Sequence, residues 1–212
     1  FGQSFLTLVV YIILKLLLIC YYLKMTRGGW KILIWIVAIA RALFPFIIFK
    51  FPFLAIFLNL FLDAPDGFIS YKSGWKWKRY HVYDKIADWW WYLFIVFYSS
   101  SLPIFPIILT LFVIRSIGQF YSAYTKNEKM LLYTPNIMEY YFVFYLISTK
   151  LAGLTVEMLS PFNLILLLVA VIVSISQEYR IHVKKSYFAN SVFGLSINWE
   201  DNESTDETGI LL

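Results

Sequence analysis

Apolar runs long enough to cross a bilayer recur along this chain, and no other feature limits its fold so strongly. A helix rising 1.5 Å per residue needs about 20 apolar residues to cross a hydrocarbon layer of ~30 Å. Runs of this kind are read at 4–22, 31–49, 51–72, 82–99, 102–121, 136–152 and 158–179. A hydrophobic content of 60% with only 15% charged residues excludes an ordinary soluble domain. The expected fold is therefore all-α, a polytopic helical membrane bundle embedded in the lipid bilayer. The run at 4–22 is read as a retained helix, because it is long, has no small-residue cleavage site and no basic residue before it. Cys20 is the only cysteine, so no disulfide within the chain is expected. The net charge of +5 does not point to nucleic acid. Most basic residues stand in short loops between the apolar runs, where they set orientation and meet anionic lipid.

The third run needs an argument. Phe51–Leu62 supplies only 12 residues, too few to span. Continuing through Phe68, Ile69 and Tyr71 reaches a sufficient length and places Asp63 and Asp66 inside the helix. Pro65 and Gly67 are expected to weaken or kink it there. Lys24, Arg27 and Lys31 surround the first loop, and Lys72, Lys76, Lys78, Arg79 and Lys85 follow the third span. Lys126 and Lys129 follow the fifth, and Arg180, Lys184 and Lys185 the seventh, against only Lys50 and Lys150 in the opposite loops. The positive-inside rule then puts the N-terminus outside and the C-terminus in the cytoplasm. The chain divides into an N-terminal helix and loop (1–29), a six-helix core (30–186) and an acidic cytoplasmic tail (187–212) that is expected to be disordered.

The acidic residues carry the functional signal. Of thirteen, five crowd the tail (Glu200, Asp201, Glu203, Asp206 and Glu207), and four form the pairs Asp63/Asp66 and Asp84/Asp88. Separations of three and four put each pair on one helical face. A charge at bilayer depth costs roughly 2.5–3.5 kcal/mol on insertion scales, so four together require cations, water or a polar substrate. Convergent carboxylates suit Mg2+ or Mn2+, which take oxygen ligands. Among the basic residues within spans, Lys15 is read as snorkelling, Arg41 as a partner of the aspartates, and Arg115 as within reach of a phosphate. The tryptophans at 75, 77 and 89–91 read as an interfacial belt. His81 and His182 read as surface residues, Ser99–Ser101 lack a nucleophile's histidine partner, and Gly28-Gly29 reads as a turn between helices.

With these residues in place, the chain resembles the CDP-alcohol phosphatidyltransferase family, whose pattern is D-x2-D-G-x2-A-R-x8-G-x3-D-x3-D across two adjacent membrane helices. Asp63, Asp66, Gly67, Asp84 and Asp88 fall on it in register without a gap, and Ala40-Arg41 with Pro45 is similar to the arginine-bearing first helix of many members. Six spans from Trp30 to about Tyr179 match the family's six-helix core, with the helix at 4–22 additional. Three positions depart: Ser70-Tyr71 stands for Ala-Arg, and Tyr80 for the middle glycine. The resemblance implies a metal-dependent enzyme of phospholipid synthesis that moves a phosphatidyl group from CDP-diacylglycerol to an alcohol acceptor and releases CMP. It implies two ions of Mg2+ or Mn2+ held by Asp63, Asp66 and Asp84, with Asp88 as ligand or as the base acting on the acceptor. Gly67 would let the donor approach, Lys72 would replace the missing arginine as a point cation, and Arg41 and Arg115 would bind phosphate. A homodimer is also implied. Tyr80 would fill space that the cytidine needs. This raises an alternative, a catalytically degenerate member serving as a structural or assembly subunit alongside other membrane subunits. An ion or solute carrier using the carboxylates is a further alternative.

Overall fold

The computed structural model describes residues 26–125 and 128–183. The helix expected at 4–22, with Lys15 and Cys20, and the tail at 187–212 lie outside the described residues. All regular structure among the described residues is helical. Helix α1 (Arg27–Leu43) runs on into a 3₁₀ segment, Phe44–Phe49. Then come α2 (Pro52–Ser73), α3 (Trp77–Ser99) and α4 (Phe105–Thr125). A short 3₁₀ turn, Glu128–Leu132, leads to α5 (Ile137–Leu146), which continues as one π-helical turn, Ile147–Leu151. Helix α6 (Pro161–Glu178) ends in a second π-helical segment, Tyr179–Val183.

Four of these stretches are long and apolar enough to cross a membrane: Arg27–Phe49, Pro52–Ser73, Phe105–Thr125 and Pro161–Ile181. The expected spans at 82–99 and 136–152 are not among them, for two physical reasons. Helix α3 carries Lys78, Arg79, Asp84, Lys85 and Asp88. The stretch Ile137–Leu151 joins ten α-helical residues to five π-helical ones, short of the about 20 a bilayer requires.

The first helix starts earlier than its apolar run suggests. Thr26 takes an extended conformation and its hydroxyl accepts a hydrogen bond from the Gly29 amide, capping the helix. Gly28 and Gly29 therefore lie in the first turn of α1, and the expected turn at this position is corrected. Trp30, Ile34, Val37 and Arg41 recur at helical spacing and are the buried face of α1. The opposite face exposes Ile32, Trp35, Ile36, Ile39 and Leu43. An outward apolar face with an arginine turned inward inverts the soluble pattern and suits lipid surroundings.

Pro65 does not end α2, which stays one 22-residue helix. The turn that follows is made by Gly74, whose φ of +84° is left-handed and whose N–H returns to the carbonyls of Ser70 and Tyr71. This tight reversal sets α3 going back past α2, and so brings the two aspartate pairs to one place. Helix α1 packs along α2, and α5 along α6. One apolar core joins Trp91, Ile95, Ile104, Ile108, Met138 and Phe142, and a smaller one joins Trp30, Ile34, Phe68, Ile69 and Trp75. Trp75 and Trp91 are thus interior residues, against the expectation of an interfacial belt. His81 is half-buried and stacked on Trp77, with ring centroids 5.7 Å apart, and is not a free surface residue.

Candidate metal centre

The four aspartates meet around one guanidinium. Arg41, buried on the inner face of α1, lies 2.9 Å from Asp63 Oδ1, 3.0 Å from Asp88 Oδ1 and 3.7 Å from Asp84 Oδ1, and hydrogen-bonds Asp66 Oδ2. The spacing of three in α2 and of four in α3 places each pair on the face that meets the other helix. Three of the carboxylates, Asp63, Asp66 and Asp84, each offer an oxygen within 4.8 Å of the others. Asp88 stands outside this trio and is held by Arg41. Lys85 closes the far side, with its Nζ 2.8 Å from Asp84 Oδ2 and 4.0 Å from Asp88 Oδ2. Asp66 is fully enclosed, whereas the Asp63 side chain is 42% exposed, so the cluster is reached from the Asp63 side.

Donor chemistry and charge both fit a hard divalent cation. The close trio offers only carboxylate oxygen, the donor set of Mg2+ or Mn2+ and not of thiol- or imidazole-seeking metals. A cation already stands against these oxygens, in the form of Arg41. Four carboxylates against Arg41 and Lys85 leave two negative charges unbalanced within the cluster.

Gly67 and Tyr80 pack together beside the trio. The Tyr80 hydroxyl donates to Asp66 Oδ1 at 3.0 Å, and a Cβ on Gly67 would lie 3.0 Å from that same hydroxyl. The phenol thus occupies the space beside Gly67 that a side chain there would need. Lys72 makes no ion pair with the four aspartates among the described residues. It is exposed in the last turn of α2, with its Nζ 5.5 Å from the Phe68 ring centroid and 5.7 Å from that of Tyr71.

Arg115 does not present its charge to an open site. It is buried in α4, pairs with Glu178 of α6 at 2.8 Å and donates to the Thr134 carbonyl at 2.7 Å. A phosphate ligand was expected for this charge, which is met within the protein by Glu178. Arg41, for which a phosphate was also expected, is bound by the four carboxylates. No protein-family model, curated protein or solved structure matches the chain.

Two acidic residues escaped the sequence reading. Glu178 is the partner of Arg115. Glu139, in the first turn of α5, accepts from Asn136 at 2.7 Å, Trp91 at 2.9 Å and Asn59 at 3.3 Å. It thereby ties α2 and α3 to α5 from beside the cluster. The available signal was a lone acid inside each of the last two apolar runs, where an ionisable group always needs a partner.

Proposed function

We propose that the chain is a divalent-cation-dependent transferase acting on a CDP-linked lipid, passing the phosphatidyl group to an alcohol and releasing CMP. The observation that supports this reading is the convergence of Asp63, Asp66 and Asp84 from two neighbouring helices onto one small volume. The in-register likeness to the aspartate pattern adds to it. Asp63, Asp66 and Asp84 would hold Mg2+ or Mn2+, which neutralises charge on the donor's pyrophosphate and on the departing CMP. Asp88 takes the proton of the acceptor hydroxyl. The oxygen so freed attacks the phosphorus that carries the diacylglycerol, and the bond from that phosphorus to the CMP oxygen breaks. Arg41 holds Asp88 Oδ1 at 3.0 Å, which fixes the orientation in which the carboxylate meets the acceptor.

Incubating purified protein with CDP-diacylglycerol, Mn2+ and a panel of alcohols tests the reading. CMP release that depends on metal and is lost in Asp88→Asn is the expected result. No CMP with any acceptor would sink it.

A second reading is favoured by one observation: Tyr80 covers Gly67 and bonds Asp66. On that reading the chain has given up the nucleotide and serves as a structural subunit of a membrane complex. Stable co-purification with a partner protein, without CMP release, is its signature.

A further inference from the structure

We propose that Arg41 takes the place of a second divalent cation, so that this cage loads one metal ion per chain and not two. The inference rests on the reading that the cage holds metal, but not on the transfer chemistry.

The arrangement of the guanidinium carries it. Nη1 faces Asp66 of α2 and Asp84 of α3, while Nη2 faces Asp63 of α2 and Asp88 of α3. Each terminal nitrogen therefore joins one carboxylate from each helix, as a bridging metal ion does. The planar fork of arginine reaches all four carboxylates at once, whereas a lysine ammonium would bring the same charge from a single nitrogen. The Arg41 side chain is only 2% exposed, so it is part of the interior and not a surface group that has drifted in.

The remaining oxygens tell the same story. Asp66 has one oxygen on Arg41 and the other on Tyr80. Asp84 has one on Arg41 and the other on Lys85, and Asp88 repeats that division, nearer to Arg41 and farther from Lys85. Only Asp63, the most exposed of the four, keeps an oxygen without a protein partner among the described residues. An incoming ion thus finds one free oxygen and must compete for the others.

Charge sets the number. Four carboxylates alone would balance two divalent ions. With Arg41 and Lys85 already among them, the two unmet negative charges are balanced by one. A second ion would leave excess positive charge beside the buried Arg41 and Asp66, where unpaired charge is costly.

Titrating Mn2+ into the purified protein, with free Mn2+ counted by electron paramagnetic resonance, reads the stoichiometry directly. The wild type is expected to bind one equivalent. Arg41→Gln should bind two, or bind one at least tenfold more tightly, whereas Arg41→Lys should stay at one. If Arg41→Gln does not fold, Lys85→Gln removes a charge from the same cage without touching α1, and the same gain is expected. Two equivalents in the wild type overturn the proposal. So does no binding, and so does a charge-removing variant that matches the wild type in number and affinity. Assaying CMP release on the same sample separates the two readings. One equivalent without CMP release leaves this inference standing and removes the transferase, and CMP release with two equivalents does the reverse.

Discussion

The Tyr80 hydroxyl reaches Asp66 Oδ1 at 3.0 Å by passing over the bare Cα of Gly67. Glycine is needed here for the room it leaves, since Gly67 lies mid-helix and its backbone makes no special demand. A methyl added at this position would press on the phenol oxygen.

Gly67→Ala should therefore break the Tyr80–Asp66 hydrogen bond and leave Asp66 one donor short in a buried setting, a cost of about 1–3 kcal/mol. Tyr80→Phe removes the clashing oxygen together with the donor. The two substitutions should be markedly less than additive in thermal unfolding of the detergent-solubilised protein. Strict additivity would mean that the two residues do not interact.

The turn at Gly74 makes a separate prediction. Its φ of +84° is one that a side-chain-bearing residue adopts at a cost of roughly 1–2 kcal/mol, and a Cβ there would also collide with the Arg27 guanidinium. Gly74→Ala should destabilise the protein and loosen the α2–α3 reversal that brings Asp66 and Asp84 together. Adding Arg27→Ala should relieve the contact but not the backbone strain, so only part of the loss in melting temperature should return. Full recovery would show that strain plays no part.

The aspartate pairs were legible because charge inside an apolar run has no other easy explanation, and because separations of three and four each define one face. Arg41 was legible as their partner for the same reason. What could not be read was which neutral groups close around them. Asn59 and Trp91 are far in sequence from Glu139, and Thr134 is far from Arg115, so these meetings depend on helix packing and leave no local pattern. The tryptophans misled for a related reason. An indole suits an interface and a core equally well, and Trp91 is interior because its N–H finds Glu139. Helix α3 ran past its expected start because its first turn is charged, and apolar patterning marks only the part of a helix that meets lipid or core.

The Arg115–Glu178 pair should be costly to break on one side and cheap to replace whole. Both side chains are nearly inaccessible, at 5% and 7% exposure. Removing one partner of such a pair strands the other charge and typically costs 3–5 kcal/mol, whereas apolar replacement of both is often neutral, by the general behaviour of buried ion pairs (about 0 kcal/mol or slightly stabilising). Glu178→Ala should therefore lower the melting temperature sharply, and Arg115→Met/Glu178→Leu should recover most of it. A double variant as unstable as the single one would point to a role for Arg115 beyond the pair.

Asp84 and Asp88 should part company when each is neutralised. Asp84 belongs to the trio whose oxygens lie within 4.8 Å of one another, and Asp88 does not. Asp84→Asn removes a carboxylate from the close set, so Mn2+ affinity should fall at least tenfold and CMP release should disappear with it. Asp88→Asn leaves the trio untouched. Mn2+ should bind it more tightly than it binds Asp84→Asn, while CMP release falls by about 10²–10⁴, the range that a positioned general base contributes. Both variants keep a hydrogen-bonding side chain against Arg41, so neither should lose the fold, and thermal unfolding provides that control. If Asp88→Asn loses Mn2+ as completely as Asp84→Asn, then Asp88 acts as a metal ligand and the proton must go elsewhere.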